Sequence, residues 1–256
     1  MKSPIKDKPL RNPGESLDDH IWDFIVDKVL KYYYICASFI VMAMMEWYRW
    51  YFKTSPSPWL YSFIALVSIL YFVVKFIRAK KRIKSLIQGR DGERAVGQYL
   101  ELLRENGAKV FHDIPAKGFN LDHVVICKSG VYVIETKTFS KPDKGEAKIL
   151  FNGEAIFLNG KIENNKPVIQ VKAAANWLKD LINESTGRKF TIKPVIVFPG
   201  WYIEPTSEAK SSEVWVLNPR ALPTFIGNSK EQLSTEEVSM VSFHLSRYVR
   251  SYVDAS

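Results

Sequence analysis

Residues 122–137 read DHVVICKSGVYVIETK. Two apolar runs, 124–126 and 131–134, stand on either side of Ser129-Gly130, which predicts two β-strands joined by a tight turn. Neither run leaves a polar face, so both sides of the hairpin are expected to be buried. Yet Asp122 stands at its entrance, and Glu135 and Lys137 at its exit. Burying such charges without partners is costly, so they need a reason. With Ser129-Gly130 as a two-residue turn, Lys128 pairs with Val131 and Asp122 falls opposite Lys137. Residues two apart on a strand share a face, so Asp122, Glu135 and Lys137 point the same way. Two carboxylates beside one ammonium form a seat for a divalent cation and a water.

Outward from the hairpin, residues 91–106 predict a helix with Ala95, Val96, Tyr99, Leu100, Leu102 and Leu103 on its apolar side, ended by Gly107. Residues 109–114 predict a short strand and 115–120 a loop. Turns are expected at Asn152-Gly153 and Asn159-Gly160. A second helix is expected over 167–183, with Pro167 at an early position. Strands follow at 192–198 and 214–217. A last helix begins at Ser234, where S-T-E-E fits a capping box. Helices alternate with strands, which predicts an α/β domain with a mixed sheet.

The chain of 256 residues carries a formal charge of +9. Residues 1–90 hold 15 Lys/Arg against 7 Asp/Glu, and residues 91–256 hold 21 against 20. The basic excess is thus N-terminal, and only a local patch could bind nucleic acid electrostatically in the rest of the chain. Two cysteines, Cys36 and Cys127, both in apolar segments, argue against a disulfide framework or a zinc site. Residues 29–45 and 59–77 are apolar runs near the length that crosses about 30 Å of hydrocarbon. Aromatic residues cluster at their ends, as in an interfacial belt. A transmembrane hairpin is therefore expected, with Lys/Arg before the first run and after the second placing both termini in the cytoplasm. The run RAKKRIK, 78–84, suits anionic lipid head groups. No secretory signal is read, since the apolar stretch begins late and no cleavage site follows. Three parts are expected: a flexible tail, 1–20; a membrane hairpin with its basic flank, 21–84; and the α/β domain, 85–256.

The order of the motifs adds to this reading. Gly92-Glu93, then 121–125 (LDHVV), then 130–137 (GVYVIETK), then 167–171 (PVIQV) resemble a NERD domain, a nuclease-related branch of the PD-(D/E)XK superfamily. The resemblance covers residues 89–175 and implies a restriction-endonuclease-like mixed sheet flanked by helices. It implies that Asp122, Glu135 and the Thr136 carbonyl hold Mg²⁺ or Mn²⁺, and that Lys137 positions the attacking water. It also implies that Glu93 reaches the metal site from its helix, and that Gln170 orients a ligand or phosphate from its helix N-terminus. The function expected is a membrane-anchored, metal-dependent nuclease acting on DNA in the cytoplasm. The alternative is a non-catalytic tethered module that binds nucleic acid or protein. His123 is expected to pack on the opposite strand face, and His112-Asp113 to form either a second acidic site or, by default, a strand-end surface pair. Trp201 and Tyr202 either stack on bases or pack on the domain surface. Lys172 and Lys179 either contact phosphates or form a solvated helix face.

Overall fold

The computed structural model describes residues 10–54, 58–142, 146–158 and 162–255. The chain forms two compact units: Ser16–Gln88, and Met1–Glu15 together with Gly89–Ser256. The expected tail is therefore divided. Residues 1–9 lie outside the described residues, while Leu10 packs against the α/β core.

In the first unit, α1 (Glu15–Phe24) passes through a π-helical stretch (Ile25–Leu30) into α2 (Lys31–Tyr51), and α3 (Pro58–Glu105) follows. α2 packs antiparallel to the first part of α3. The Tyr32 and Tyr71 rings lie 5.8 Å apart. The Cys36 thiol donates to the Ser68 carbonyl (3.1 Å), and Trp47 Nε1 donates to Ser62 Oγ (2.9 Å). The expected hairpin thus exists as a helix pair. Among the described residues one helix, α3, is long and apolar enough to cross a membrane, judged by length and composition. In α2 the polar rings of Tyr32, Tyr33, Tyr34, Tyr48 and Tyr51 dilute the apolar run.

In the second unit, β1 (Lys109–Ala116), β2 (Phe119–Cys127) and β3 (Gly130–Thr136) form an antiparallel meander. β4 (Lys148–Phe151), β5 (Ile156–Leu158) and β6 (Ile162–Asn164) lead into α4 (Lys166–Thr186). Then come β7 (Ile192–Val197), β8 (Tyr202–Pro205), β9 (Trp215–Leu217), α5 (Leu222–Gly227) and α6 (Thr235–Ala255). The main sheet has the order β1-β2-β3-β7-β9, and β3, β7 and β9 run parallel. A smaller sheet has the order β6-β5-β4-β8. The mixed sheet agrees with expectation.

The central hairpin is covered on both faces. Val124, Ile126, Val131 and Val133 join Val171 and Leu178 of α4 and Val241 and Leu245 of α6. Val125, Tyr132 and Ile134 join Val96, Leu100 and Leu103 of α3. The turn differs from the sequence expectation. Cys127 pairs with Gly130, so Lys128-Ser129 is the two-residue loop. Gly130 follows it at φ 140°, supplying the positive dihedral just after the turn. The Gln232 and Leu233 amides donate to the Lys128 carbonyl and hold the turn in place. Residues 115–120, expected as a loop, continue β1 and β2, because only Lys117 and Gly118 are needed to reverse the chain. The expected turn at Asn159-Gly160 lies outside the described residues. β8 and α5 were not anticipated: each is short, without a full period of its own.

Candidate active site

The hairpin register is offset by two residues from the sequence reading. His123 pairs with Ile134, so the next position sets Asp122 opposite Glu135 rather than Lys137. A two-residue shift preserves the face, so the three charged side chains still share one side. On that side Lys137 Nζ donates to Glu135 Oε1 (2.6 Å) and to Gln170 Oε1 (2.9 Å). Gln170 Nε2 donates to the same Glu135 oxygen (2.7 Å), closing a triangle. Gln170 reaches it from the N-terminal part of α4, where Pro167 takes an early helical position. Asp122 Oδ2 accepts the Thr136 amide (2.6 Å). Thr136 is itself buried at the end of β3.

Glu93 arrives from α3. Its neighbour Gly92 lets the helix lie against the exit of β3: a Cβ there would be 2.1 Å from Thr138 Cγ2 and 3.6 Å from Thr136 Cγ2. Glu93 is buried. Burial, and then the charges of Asp113 and Glu135, push its carboxyl up to about 7, against the pull of Lys137 and the Gly14 amide. Asp122 is raised well above the usual carboxylate range by burial and by Glu135 and Glu93. All five candidate residues therefore meet at one end of β2 and β3.

Sequence reasoning missed one member. Asp113, read as half of a surface pair, is 1% exposed. Its register position lies opposite Asp122 on the neighbouring strand. It has a positive φ of 48°, which aspartate tolerates better than most residues. Arg11 Nη1 donates to Asp113 Oδ2 (3.2 Å), and Asn120 Nδ2 to its Oδ1 (3.0 Å). The segment around Arg11 forms a strap over the cluster. Pro13 fills the space left by Gly97, and the Gly14 amide donates to the Glu93 carboxylate. The signal lay in the HD dipeptide within β1, but no local pattern links it to a residue 102 positions away.

His112 is also buried, and its Nδ1 lies 2.8 Å from His123 Nδ1. Burial lowers both imidazoles below the usual histidine range. His123 is thus a packed, hydrogen-bonded histidine, as expected. Trp201 is buried in the core, whereas Tyr202 is exposed. Lys172 and Lys179 are exposed on α4.

Residues 88–199 match the family model of the nuclease-related domain, NERD. The match covers the whole carboxylate, lysine and glutamine cluster contributed by α3, β2, β3 and α4. No curated protein matches the chain. Among solved structures, Pyrococcus furiosus SfsA in complex with Ca²⁺ is similar at 17% identity with a TM-score of 0.28. That alignment covers 52% of this chain and 55% of SfsA, so the chain spans about half the length of that relative.

Asp122 and Glu135, with the Thr136 carbonyl, would offer only oxygen donors, which suit a hard divalent cation. Among the described residues no three His, Cys, Asp or Glu side chains converge as a metal cluster. Magnesium sites commonly use one or two carboxylates and retain waters, so a two-carboxylate set suffices. A cation bound there would relieve the carboxylate crowding that raises Asp122.

Proposed function

We propose that this chain is a membrane-anchored nuclease that uses Mg²⁺ or Mn²⁺ to hydrolyse phosphodiester bonds of DNA on the cytoplasmic side. The hydrogen-bonded triangle of Glu135, Lys137 and Gln170 beside Asp122 carries this reading. Asp122, Glu135 and the Thr136 carbonyl hold the metal, which when bound activates water and neutralises phosphate charge. The Lys137 ammonium orients the attacking water and faces the negative charge that builds on the phosphate. Gln170 fixes both Glu135 and Lys137 and so sets their spacing. Glu93 reaches the metal site from α3, directly or through a water. Anchoring is supported by the apolar window of α3, of which 6% is buried, so its side chains need an apolar surround. The basic residues before the first apolar run and at the end of the second, the latter within α3, favour cytoplasmic termini.

The test uses the full chain in detergent with labelled DNA and RNA, in Mg²⁺, Mn²⁺ or EDTA. Metal-dependent cleavage is expected, reduced roughly 100-fold or more in Glu135→Ala and Lys137→Ala. A folded chain with neither cleavage nor a metal-dependent melting shift overturns the catalytic reading. It would leave the tethered binding module, which the near-balanced charge of residues 91–256 favours.

A further inference from the structure

A cavity of about 970 Å³ opens beside the candidate site. It lies beyond the C-terminal ends of β7 and β9, with α3 along one wall. Thr136, Val197 and Leu217 stand in register across the parallel strands β3, β7 and β9. Glu135 and Lys137 occupy the first strand end, so the cavity begins one to two strand spacings away, about 5–10 Å. Ligands of open parallel sheets bind beyond the carboxyl ends of strands. The same helix serves both places: Gly92 meets Thr136 and Thr138, and two turns later the Tyr99 hydroxyl accepts from Arg220 Nε (3.2 Å).

The lining has a specific chemistry. Tyr202 and Phe225 present exposed rings, 65% and 43% accessible. Lys141 and Arg220 add exposed cations. Gly200 makes room for one of them, since a Cβ there would lie 2.8 Å from Lys141 Nζ. The rim is preformed: Asn218 Nδ2 donates to the Trp201 carbonyl (2.8 Å), and its Oδ1 accepts the Arg220 amide (3.1 Å). Rings that accept a flat π-face beside cations that accept a phosphate match a nucleotide. A paired and stacked base has no free face, so the match is to an unpaired one.

We infer that this cavity binds a nucleotide of a single-stranded substrate, its base stacked on Tyr202 and its phosphate paired with Arg220 and Lys141. The inference rests on the nuclease reading of the adjoining site and names its substrate class as single strands or frayed ends. It is tested by fluorescence anisotropy of a labelled single-stranded oligodeoxynucleotide with the full chain in detergent and EDTA, which blocks cleavage. Tyr202→Ala should weaken binding about tenfold, and Tyr202→Phe should retain it. Arg220→Gln should lower the slope of log K against log salt by about one. Wild-type affinity in Tyr202→Ala, tighter binding of duplex than of single strand, or no binding by the wild type overturns the inference. Binding that needs Tyr202 without any metal-dependent cleavage would refute the nuclease reading and keep the cavity. Cleavage with unaltered binding in Tyr202→Ala would refute the cavity alone.

Discussion

Glu93 is the residue at which stability and chemistry pull in opposite directions. It is buried near Asp113, Asp122 and Glu135, and its carboxyl is pushed up to about 7 from 4.5. A carboxyl raised on folding favours the folded state while protonated, and that advantage is lost as pH rises from about 4.5 through 7. Above pH 7 its ionised form costs roughly 3 kcal/mol at most. Glu93→Gln should therefore raise the melting temperature at pH 8 by several degrees and change it little at pH 5. Melting curves in EDTA at the two pH values check this; an equal shift at both would mean that Glu93 is not held protonated. Asp122, Glu135 and Lys137 were legible because hairpin periodicity fixes which side chains share a face, whereas Glu93 and Gln170 were legible only through the resemblance to the NERD domain. Asp113 was not, because only the pairing of β1 with β2 and the return of Arg11 reveal that it is inside.

The elements hold these residues in place through close approach as much as through apolar burial. α3 meets the exit of β3 at Gly92, where a methyl group would collide with Thr138 Cγ2. Gly92→Ala should destabilise the α/β unit by roughly 1–3 kcal/mol, the usual cost of overpacking. Thr138→Ser removes the colliding methyl and should restore most of that loss in the double variant. Thermal melting of the four chains decides it; additive losses would place the strain elsewhere. The strands were readable because their apolar runs are long and bounded by Gly, Asn and charge. The hairpin register was not, because Ser129-Gly130 and Lys128-Ser129 are equally short turns. The choice is made by the Gln232 and Leu233 amides on the Lys128 carbonyl, about a hundred residues downstream. The site survived that error only because the two registers differ by an even number of residues.

At the scale of the whole molecule, the compact α/β unit is assembled from both sides of Ser16–Gln88. The proposed orientation makes a direct prediction in a chain whose Cys36 and Cys127 are replaced. Thr54→Cys, between α2 and α3, should react with a membrane-impermeant maleimide on intact cells. Ser229→Cys, after α5, should react only once the membrane is permeabilised. The reverse pattern, or labelling of both from outside, would overturn the orientation. The sequence reading predicts two crossings, whereas among the described residues one helix, α3, is long and apolar enough to span, because the tyrosines of α2 dilute its apolar run. The strap bears on that number by parity. Arg11 is bonded to Asp113, and the Gly14 amide to Glu93, so the chain on either side of Ser16–Gln88 is tied into one knot. An excursion that starts and finishes at the same knot can traverse a bilayer twice or not at all. A single traverse would leave Arg11 and Asp113 facing different compartments.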